Sequence, residues 1–245
     1  MVSKSQSKLI RSLHQKKYRF KHGLFLVEGT KGISEFLGSS LKLQQLFYTE
    51  DIFDISEELK TLIDDKELKT LSQLTTPQKA LAIFEIPNQV SKISTKKVMI
   101  LDGVRDPGNL GTIIRLCDWF GIEQLVCSLD TVDCYNHKVV QATMGSLARV
   151  LITYTDISEY LKSVKLPVYG TFMDGKTLYS ETLSEDYIIV MGNEANGISK
   201  EIEALCGSRI AIPQFGTKKD TESLNVATAS AIILSEFARK TLDKD

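Results

Sequence analysis

The sequence has few of the residues that metal and disulfide chemistry need. Its 245 residues contain four cysteines and three histidines, without a C-x-x-C pair or a cysteine and histidine cluster at zinc spacing. We therefore expect no metal site. The cysteines Cys117, Cys127, Cys134 and Cys206 are expected to be free thiols of a reducing compartment.

Long apolar runs are also missing. No run in the sequence approaches the roughly 18 apolar residues that a membrane-spanning helix needs. The N-terminus lacks the apolar stretch of a secretory signal peptide. We therefore expect a cytoplasmic protein that does not insert into a membrane.

Common catalytic motifs are absent as well. There is no G-x-S-x-G, no Walker motif and no paired-carboxylate signature. The histidines His14, His22 and His137 lie outside the polar segments described below, which argues against a hydrolase triad. The turn where a dinucleotide-binding fold carries G-x-G-x-x-G reads RDPGNLG at 105–111, which counts against a dinucleotide-dependent oxidoreductase.

Charge is unevenly distributed although the formal net charge is only −1. The first acidic residue is Glu28, and a basic block precedes it. This block contains Lys4, Lys8, Arg11, Lys16, Lys17, Arg19 and Lys21. A local basic block can bind phosphate backbones even in a nearly neutral protein. A solvated chain terminus is the alternative interpretation.

The order of apolar runs predicts an α/β protein with two domains. Residues 98–245 alternate helices with strands that are apolar on both faces, which is typical of a parallel sheet covered on both sides. Residues 1–90 form a smaller α/β unit, with helices expected over 3–19 and 55–63. The polar residues 91–97 are expected to link the two domains.

Three polar segments of the second domain each follow an apolar strand and lead into a helix. They read LDGVRDPGNLGTIIR (101–115), VMGNEANGIS (190–199) and IAIPQFGTKKDTESLNVATASAI (210–232). Open α/β sheets bind ligands beyond the carboxyl ends of their strands. The three segments therefore predict one composite site.

Each candidate residue has a structural alternative. Asn109 could cap the helix that follows it, and Arg115, in an apolar helix, needs an acceptor unless it lies on the surface. Glu194 could bind a ligand hydroxyl or amine, or cap backbone amides. Ser223 is a plausible N-cap, whereas Asn225 interrupts an apolar helix start and is expected to face a specific partner. These residue types suit a polar organic cofactor and an RNA-like hydroxyl.

The segments DPGNLGTIIRLCDWFG, IIVMGNEANGIS and IPQFG…ESLNVATASAIILSEF resemble motifs 1, 2 and 3 of the SpoU (TrmH-like) branch of the SPOUT methyltransferases. The N-terminal block is similar to the L30e-like RNA-binding domain that often precedes them. The resemblance implies an S-adenosyl-L-methionine-dependent RNA ribose 2′-O-methyltransferase. It also implies a deep trefoil knot, and a homodimer formed through the C-terminal domain with the site near the subunit interface.

The resemblance assigns roles to individual residues. The expected catalytic and RNA-positioning residues are Asn109, Arg115, Glu194, Ser223 and Asn225. The expected cofactor-pocket residues are Thr171, Gly192, Ile212 and Leu224. With the basic block taken as the RNA-binding surface, its expected contacts are Lys8, Arg11, Lys16, Lys17 and Arg19.

The RNA itself is expected to be ribosomal (23S-type) rather than transfer RNA, because L30e-like domains commonly accompany enzymes of ribosomal RNA. A tRNA 2′-O-methyltransferase, a base methyltransferase and a non-catalytic RNA-binding or ribosome assembly factor remain alternatives. The segment 214–222 is longer than the compact loop usual in motif 3, and its role is not predicted.

Overall fold

The computed structural model describes residues 1–87, 96–216 and 223–242, without the side chain of Thr241. The chain divides into two compact units. Unit 1 comprises Met1–Val90 and Asp133–Arg149, and unit 2 comprises Ser91–Val132 and Val150–Asp245.

Unit 1 is therefore discontinuous in sequence, because residues 133–149 pack with the N-terminal part of the chain. The sequence places this segment inside the continuous domain 98–245. The domain boundaries 1–90 and 98–245 stay a prediction. Most of the expected linker 91–97 lies outside the described residues.

The described helices and strands alternate along most of the chain. The helices are α1 (Lys4–Ser12), α2 (Lys16–His22), α3 (Thr30–Leu37), α4 (Asp65–Leu71), α5 (Pro107–Phe120), α6 (His137–Thr143), α7 (Ile157–Ser163), α8 (Lys200–Glu203) and α9 (Val226–Leu242). The strands are β1 (Leu24–Glu28), β2 (Leu43–Tyr48), β3 (Lys60–Leu62), β4 (Ala80–Glu85), β5 (Lys97–Asp102), β6 (Gln124–Cys127), β7 (Leu151–Tyr154), β8 (Val168–Thr177), β9 (Tyr187–Gly192) and β10 (Ser208–Ala211).

The sheet of unit 1 is small and mixed. Its order is β1-β4-β2-β3, with antiparallel β1–β4 and β4–β2 pairs and a parallel β2–β3 pair. Ile10 and Leu13 of the N-terminal segment pack with Phe47 and Leu81 of the sheet in one buried core. Burial of this apolar face is the main favourable term that holds the basic N-terminal segment to the sheet.

The N-terminal segment forms two helices instead of the single helix expected over 3–19. Ser3 begins α1 with a capping box that includes Gln6, which satisfies amides that the first helical turn leaves free. At the break, Arg19 donates hydrogen bonds to the carbonyl oxygens of Leu13 (2.9 Å) and His14 (3.0 Å). The guanidinium thus satisfies backbone groups that a continuous helix would have paired internally.

The expected helix over 55–63 is wrong. Glu57–Leu59 is a short 3₁₀ turn, and β3 then pairs in parallel with β2. The spacing of Ile55, Leu59 and Ile63 fits a helix. In the fold, however, backbone groups of β3 form hydrogen bonds with the edge of β2. Pairing with a neighbouring strand overrode the local helical pattern.

Unit 2 contains the expected parallel sheet. Its order is β10-β8-β9-β5-β6-β7, and every neighbouring pair is parallel. The central strand β5 is fully buried from Val98 to Leu101, and α5 packs against α9. The predicted α/β fold is confirmed, and the trefoil knot stays a prediction. None of the described helices is long and apolar enough to cross a membrane.

Candidate active site at the carboxyl ends of the parallel strands

A cavity of about 420 Å³ opens at the carboxyl ends of β8, β9 and β10. The start of α9 forms a further wall. The four expected cofactor-pocket residues, Thr171, Gly192, Ile212 and Leu224, all line it. Its volume falls within the roughly 300–1,000 Å³ typical of small-molecule and cofactor sites.

A tight backbone turn after β9 forms one wall of the cavity. Asn193 and Gly197 exchange backbone hydrogen bonds of 3.2 and 2.9 Å, and Gly197 has a φ of 67°. The side-chain oxygen of Asn193 accepts from the amides of Ala195 (3.1 Å) and Asn196 (2.9 Å). A Cβ on Gly192 would lie 2.1 Å from the carbonyl carbon of Gly197. Only glycine therefore permits this approach of the two backbone segments.

Asp106, and not Asn109, caps the start of α5. Its side chain accepts from the Asn109 amide at 2.8 Å, and Pro107 occupies the first turn. An aspartate directly before proline at a helix start is a recognisable N-terminal signal, so the sequence did contain it. The side chain of Asn109 is consequently available for contacts outside its helix.

A chain of hydrogen bonds joins the three polar segments. The side-chain oxygen of Asn225 accepts from the amides of Ala227 (2.9 Å) and Thr228 (3.2 Å) at the start of α9. Its amide nitrogen donates to the Asn109 side-chain oxygen at 2.9 Å. Asn109 in turn donates to the Glu194 carboxylate. Each contact fixes the orientation of the next amide, so the predicted composite site is assembled as an ordered polar array.

The remaining two expected catalytic residues occupy different places. Ser223 is exposed and lines the cavity. The side chain of Asn225 caps the start of α9, where the sequence predicted Ser223 as the cap. Arg115 is exposed on α5, about 9 Å beyond Asn109 along the helix axis. It does not line the cavity. Within residues 1–87, 96–216 and 223–242 its guanidinium makes no hydrogen bond or ion pair.

Aspartates that the sequence analysis did not single out order the loops around the array. Asp102, at the end of β5, accepts from the Ser199 amide at 2.7 Å before α8. Ser128 donates to Asp130 (2.7 Å), and Arg105 donates to the same carboxylate at 2.9 Å. These two donors hold the pKa of Asp130 below its usual value. The loop after β5 is thereby tied to neighbouring segments on both sides.

The charge of the cavity lining limits what it can bind. Glu194 is the sole ionisable side chain among the described residues that line the cavity. Most other lining side chains are apolar, among them Met191 and Ile212. Apolar walls and one carboxylate among the described lining residues suit an uncharged or cationic organic cofactor. In the described ranges, no three histidine, cysteine, aspartate or glutamate side chains are grouped as a metal would need.

The exposed cations of unit 1 form a separate feature. Lys8 and Arg11 lie exposed on α1, and Lys16 and Lys17 lie exposed on α2. Arg19, in contrast, is only 3% exposed.

The Arg19 guanidinium lies in a buried ion pair. Its Nε and Nη2 donate to one Asp133 oxygen at 3.0 and 2.6 Å. Its Nη1 donates to the carbonyl oxygens of Leu13 and His14 at the break between α1 and α2. With these donors directed inward, we assign Arg19 a structural role in place of the predicted RNA contact.

The parallel sheet and its cavity define the class of the protein: an α/β protein that binds an organic cofactor at strand carboxyl ends. Residues 96–235 match the SpoU rRNA Methylase family, and residues 4–82 match the MRM3-like substrate binding domain. The first match covers more than half of the chain. The chain belongs to the SpoU rRNA methylase family.

Relatives of known sequence or structure agree with this assignment. The chain is 30% identical to the 23S rRNA (guanosine(2553)-2′-O)-methyltransferase RlmP of Bacillus subtilis, over 91% of this chain and 92% of that protein. A solved structure of a Porphyromonas gingivalis protein assigned to the TrmH family of RNA methyltransferases is 37% identical, with a TM-score of 0.90 over 98% and 99% of the two chains. An AdoMet-bound rRNA methyltransferase of Sinorhizobium meliloti is 30% identical, with a TM-score of 0.85 over 99% and 97%.

Proposed function

We propose that this protein transfers a methyl group from S-adenosyl-L-methionine to a ribose 2′-hydroxyl of ribosomal RNA of the 23S type. The observation that carries the proposal is the hydrogen-bonded array of Asn225, Asn109 and Glu194 beside a cavity whose described lining residues include no cationic side chain. An enzyme of ribosomal RNA works where ribosomes are assembled, and we place this one in the cytoplasm on that ground.

The residues of the cavity fit the cofactor that the proposal requires. Thr171, Gly192, Ile212 and Leu224 would hold it, largely through backbone groups and apolar contacts. When bound, the cofactor supplies a methyl group already activated by a positively charged sulfonium. The carboxylate of Glu194, in the lining, is complementary to that charge.

The remaining task of the protein is to position a poor nucleophile. A ribose hydroxyl is weakly acidic, so transfer needs in-line geometry and an acceptor for one proton. The bond from sulfur to the methyl group would break as the bond from the 2′-oxygen forms, and the hydroxyl proton would leave to the RNA phosphate or to water. Asn109, whose amide is held by Asn225 and Glu194, would orient the ribose. An arginine guanidinium is cationic at neutral pH, so Arg115 would hold the RNA phosphate and stabilise charge developing on the 2′-oxygen. RNA and not DNA is the substrate, because DNA lacks this hydroxyl.

A homodimer formed through the C-terminal unit is part of the proposal. One face of α5 presents Thr112, Arg115 and Trp119 to solvent, and Trp119 is 84% exposed. An exposed tryptophan is an uncommon surface residue and a frequent anchor of interfaces. Burial of this face by a second copy would place Arg115 at the subunit boundary.

Methyl transfer is tested directly with the purified full chain, S-adenosyl-L-methionine carrying a labelled methyl group, and a 23S rRNA transcript. Digestion to nucleosides followed by mass spectrometry should show the label in a 2′-O-methylribose. A label on a base, or no label despite cofactor binding measured by calorimetry, would contradict the proposal. Transfer RNA in a parallel reaction distinguishes the main alternative substrate.

The dimer is tested with Trp119→Ala in analytical ultracentrifugation. We expect the wild-type protein to sediment as a dimer and the variant to shift towards monomer. Leu129→Ala is the control, because Leu129 is also exposed (69%) in unit 2 but lies outside α5. A wild-type monomer, or a fully dimeric Trp119→Ala variant, would contradict an interface on this face.

A further inference from the structure

Helix α2 of unit 1 carries an exposed aromatic side chain among cations. Phe20 is 53% exposed, and the Lys16 ammonium lies 5.9 Å from the centre of its ring. Lys17 and Lys21 are also exposed. No acidic residue precedes Glu28 in the sequence, so α1 and α2 carry basic side chains and no acidic side chain of their own.

The buried side of α2 fixes how these side chains point. Arg19 occupies that side, held by Asp133 at 2.6 Å and by two backbone carbonyls. At 3.6 residues per turn, Lys17 and Lys21 point away from Arg19, and Phe20 lies on the flank between them and the buried side. Gly23, with a φ of 64°, ends the helix. The aromatic ring is thus presented by an anchored helix and not by a freely moving terminus.

We propose that α2 is a base-stacking platform, on which Phe20 stacks against an unpaired base of the RNA while Lys17 and Lys21 contact the flanking phosphates. The proposal rests on the proposed function and specifies how unit 1 holds the substrate.

The chemistry of this surface favours an unpaired base over a duplex. Single-stranded segments are typically bound by aromatic rings that stack on bases, together with cations that follow the backbone. A paired helix buries its base faces, so it could use the lysines but not the ring. Purely electrostatic binding of phosphates does not require an exposed phenylalanine. A base that stacks on the ring of Phe20 would explain why the ring lies exposed among the lysines.

The test measures equilibrium binding of the full chain to an RNA hairpin with 2-aminopurine in its loop, without cofactor. Wild-type protein should quench the fluorescent base. Phe20→Ala should weaken binding about 5- to 100-fold and remove the quenching. Phe20→Tyr should retain both properties, whereas Phe20→Leu should behave like alanine because it is apolar without a π face. A Phe20→Leu variant with wild-type affinity would overturn stacking.

Two controls separate stacking from other causes. Ile52→Ala removes another exposed apolar side chain of unit 1, 51% exposed, and should leave binding unchanged. A fully paired duplex should bind wild-type protein and Phe20→Ala equally. If Phe20→Ala weakened duplex binding as much as hairpin binding, the platform would be disproved and the ring would have only a structural role.

Salt dependence separates the ring from the lysines. Lys17→Gln should reduce the slope of log affinity against log salt by about 0.7, the value for one phosphate contact on a single strand. Phe20→Ala should lower affinity at every salt concentration with the slope unchanged. A Phe20→Ala variant that changes the slope like Lys17→Gln would contradict stacking.

The outcomes distinguish this proposal from the proposed function. Protein that binds and quenches the hairpin but methylates no RNA would contradict the enzymatic activity and leave the platform standing. Protein that methylates 23S rRNA while Phe20→Ala binds the hairpin as tightly as wild type would contradict the platform alone.

Discussion

The α2 region of unit 1 and the α5 region of unit 2 each contain an arginine, and the structure uses the two in opposite ways. Arg19 is 3% exposed and directs its guanidinium to Asp133 and to backbone carbonyls. Arg115 is exposed and makes no hydrogen bond or ion pair within the described parts of the chain. The first arginine holds protein segments together, and the second is free to meet a ligand.

The difference between these regions lies in where the charge is neutralised. A buried guanidinium must be paired inside the protein, because an isolated buried charge is strongly destabilising. An exposed guanidinium is solvated and can exchange water for a phosphate at little cost. Substitution in the buried Arg19–Asp133 pair of unit 1 should therefore affect folding, whereas substitution of Arg115 in unit 2 should affect chemistry.

The largest effect is expected from Asp133→Ala. It leaves the Arg19 charge buried without its partner, which typically costs about 3–5 kcal/mol of stability. Hydrogen exchange should speed up in α2 and α6, while the central strands of unit 2 keep their protection. Glu85→Ala is the control, since its pair with Lys42 is exposed (2.8 Å) and worth at most about 1 kcal/mol. Equal losses of stability in the two variants would contradict the expected difference between a buried and an exposed ion pair.

Arg115→Ala should have the converse effect. With cofactor and RNA saturating, we expect methyl transfer to slow by about 100-fold or more, the usual loss when one charge-stabilising donor is removed. The folding stability of the single subunit and its cofactor affinity should stay unchanged, because the side chain is exposed within the subunit and lies outside the cavity lining. Lys162→Ala, an exposed cation on α7, is the matched control. Near-wild-type turnover of Arg115→Ala would show that the assignment is incorrect.

Gly192→Ala should weaken cofactor binding without touching a charge. The added carbon would overlap the backbone of Gly197, and relieving such overpacking costs about 1–3 kcal/mol. We expect the affinity for S-adenosyl-L-methionine, measured by calorimetry, to fall about 5- to 150-fold. Gly121→Ala, at a φ of 66° with open space around it, should destabilise the protein and leave this affinity intact. Unchanged binding to Gly192→Ala would place the cofactor elsewhere.

The smallest expected effect is a change in how folding stability depends on pH. Burial, followed by nearby cations including Arg19, lowers the pKa of His137, and burial is also the main cause of the lowered pKa of His14. Because these pKa values are lowered by folding, the unfolded chain binds more protons than the folded chain at mildly acidic pH. The free energy of unfolding should therefore fall as pH drops below about 6.5, the usual histidine pKa. Thermal unfolding measured across this range should depend less on pH in His137→Gln than in the exposed-site control His22→Gln. Identical pH profiles would contradict the expectation.

The sequence was sufficient for most of the fold and for the place where the polar segments meet. Apolar strands alternating with helices predicted the parallel sheet, because strands buried on both faces must be apolar throughout. Polar residues at strand ends predicted one composite site, and Asn109, Glu194 and Asn225 do form one array. Strand ends of a parallel sheet lie at one edge, so residues far apart in sequence meet there.

Local pattern did not reveal which polar residues are capped, buried or free. Asp106 takes the cap that the sequence offered to Asn109, and residues 60–62 form a strand where helical spacing predicted a helix. The Asp106 cap is local and was signalled by the Asp-Pro pair, whereas the partner of residues 60–62 is the edge of β2, whose position depends on the rest of the fold. Periodicity within one segment does not contain that information.

By itself, the sequence determined the two-part α/β character, the cofactor-type site and the basic N-terminal block, because each follows from composition and order along the chain. Only the tertiary structure decided that Arg19 is an internal anchor, that residues 133–149 belong with unit 1, and that Phe20 is displayed among lysines. The physical reason is the same throughout: a charge or ring acquires its role from the burial and the partners that folding gives it.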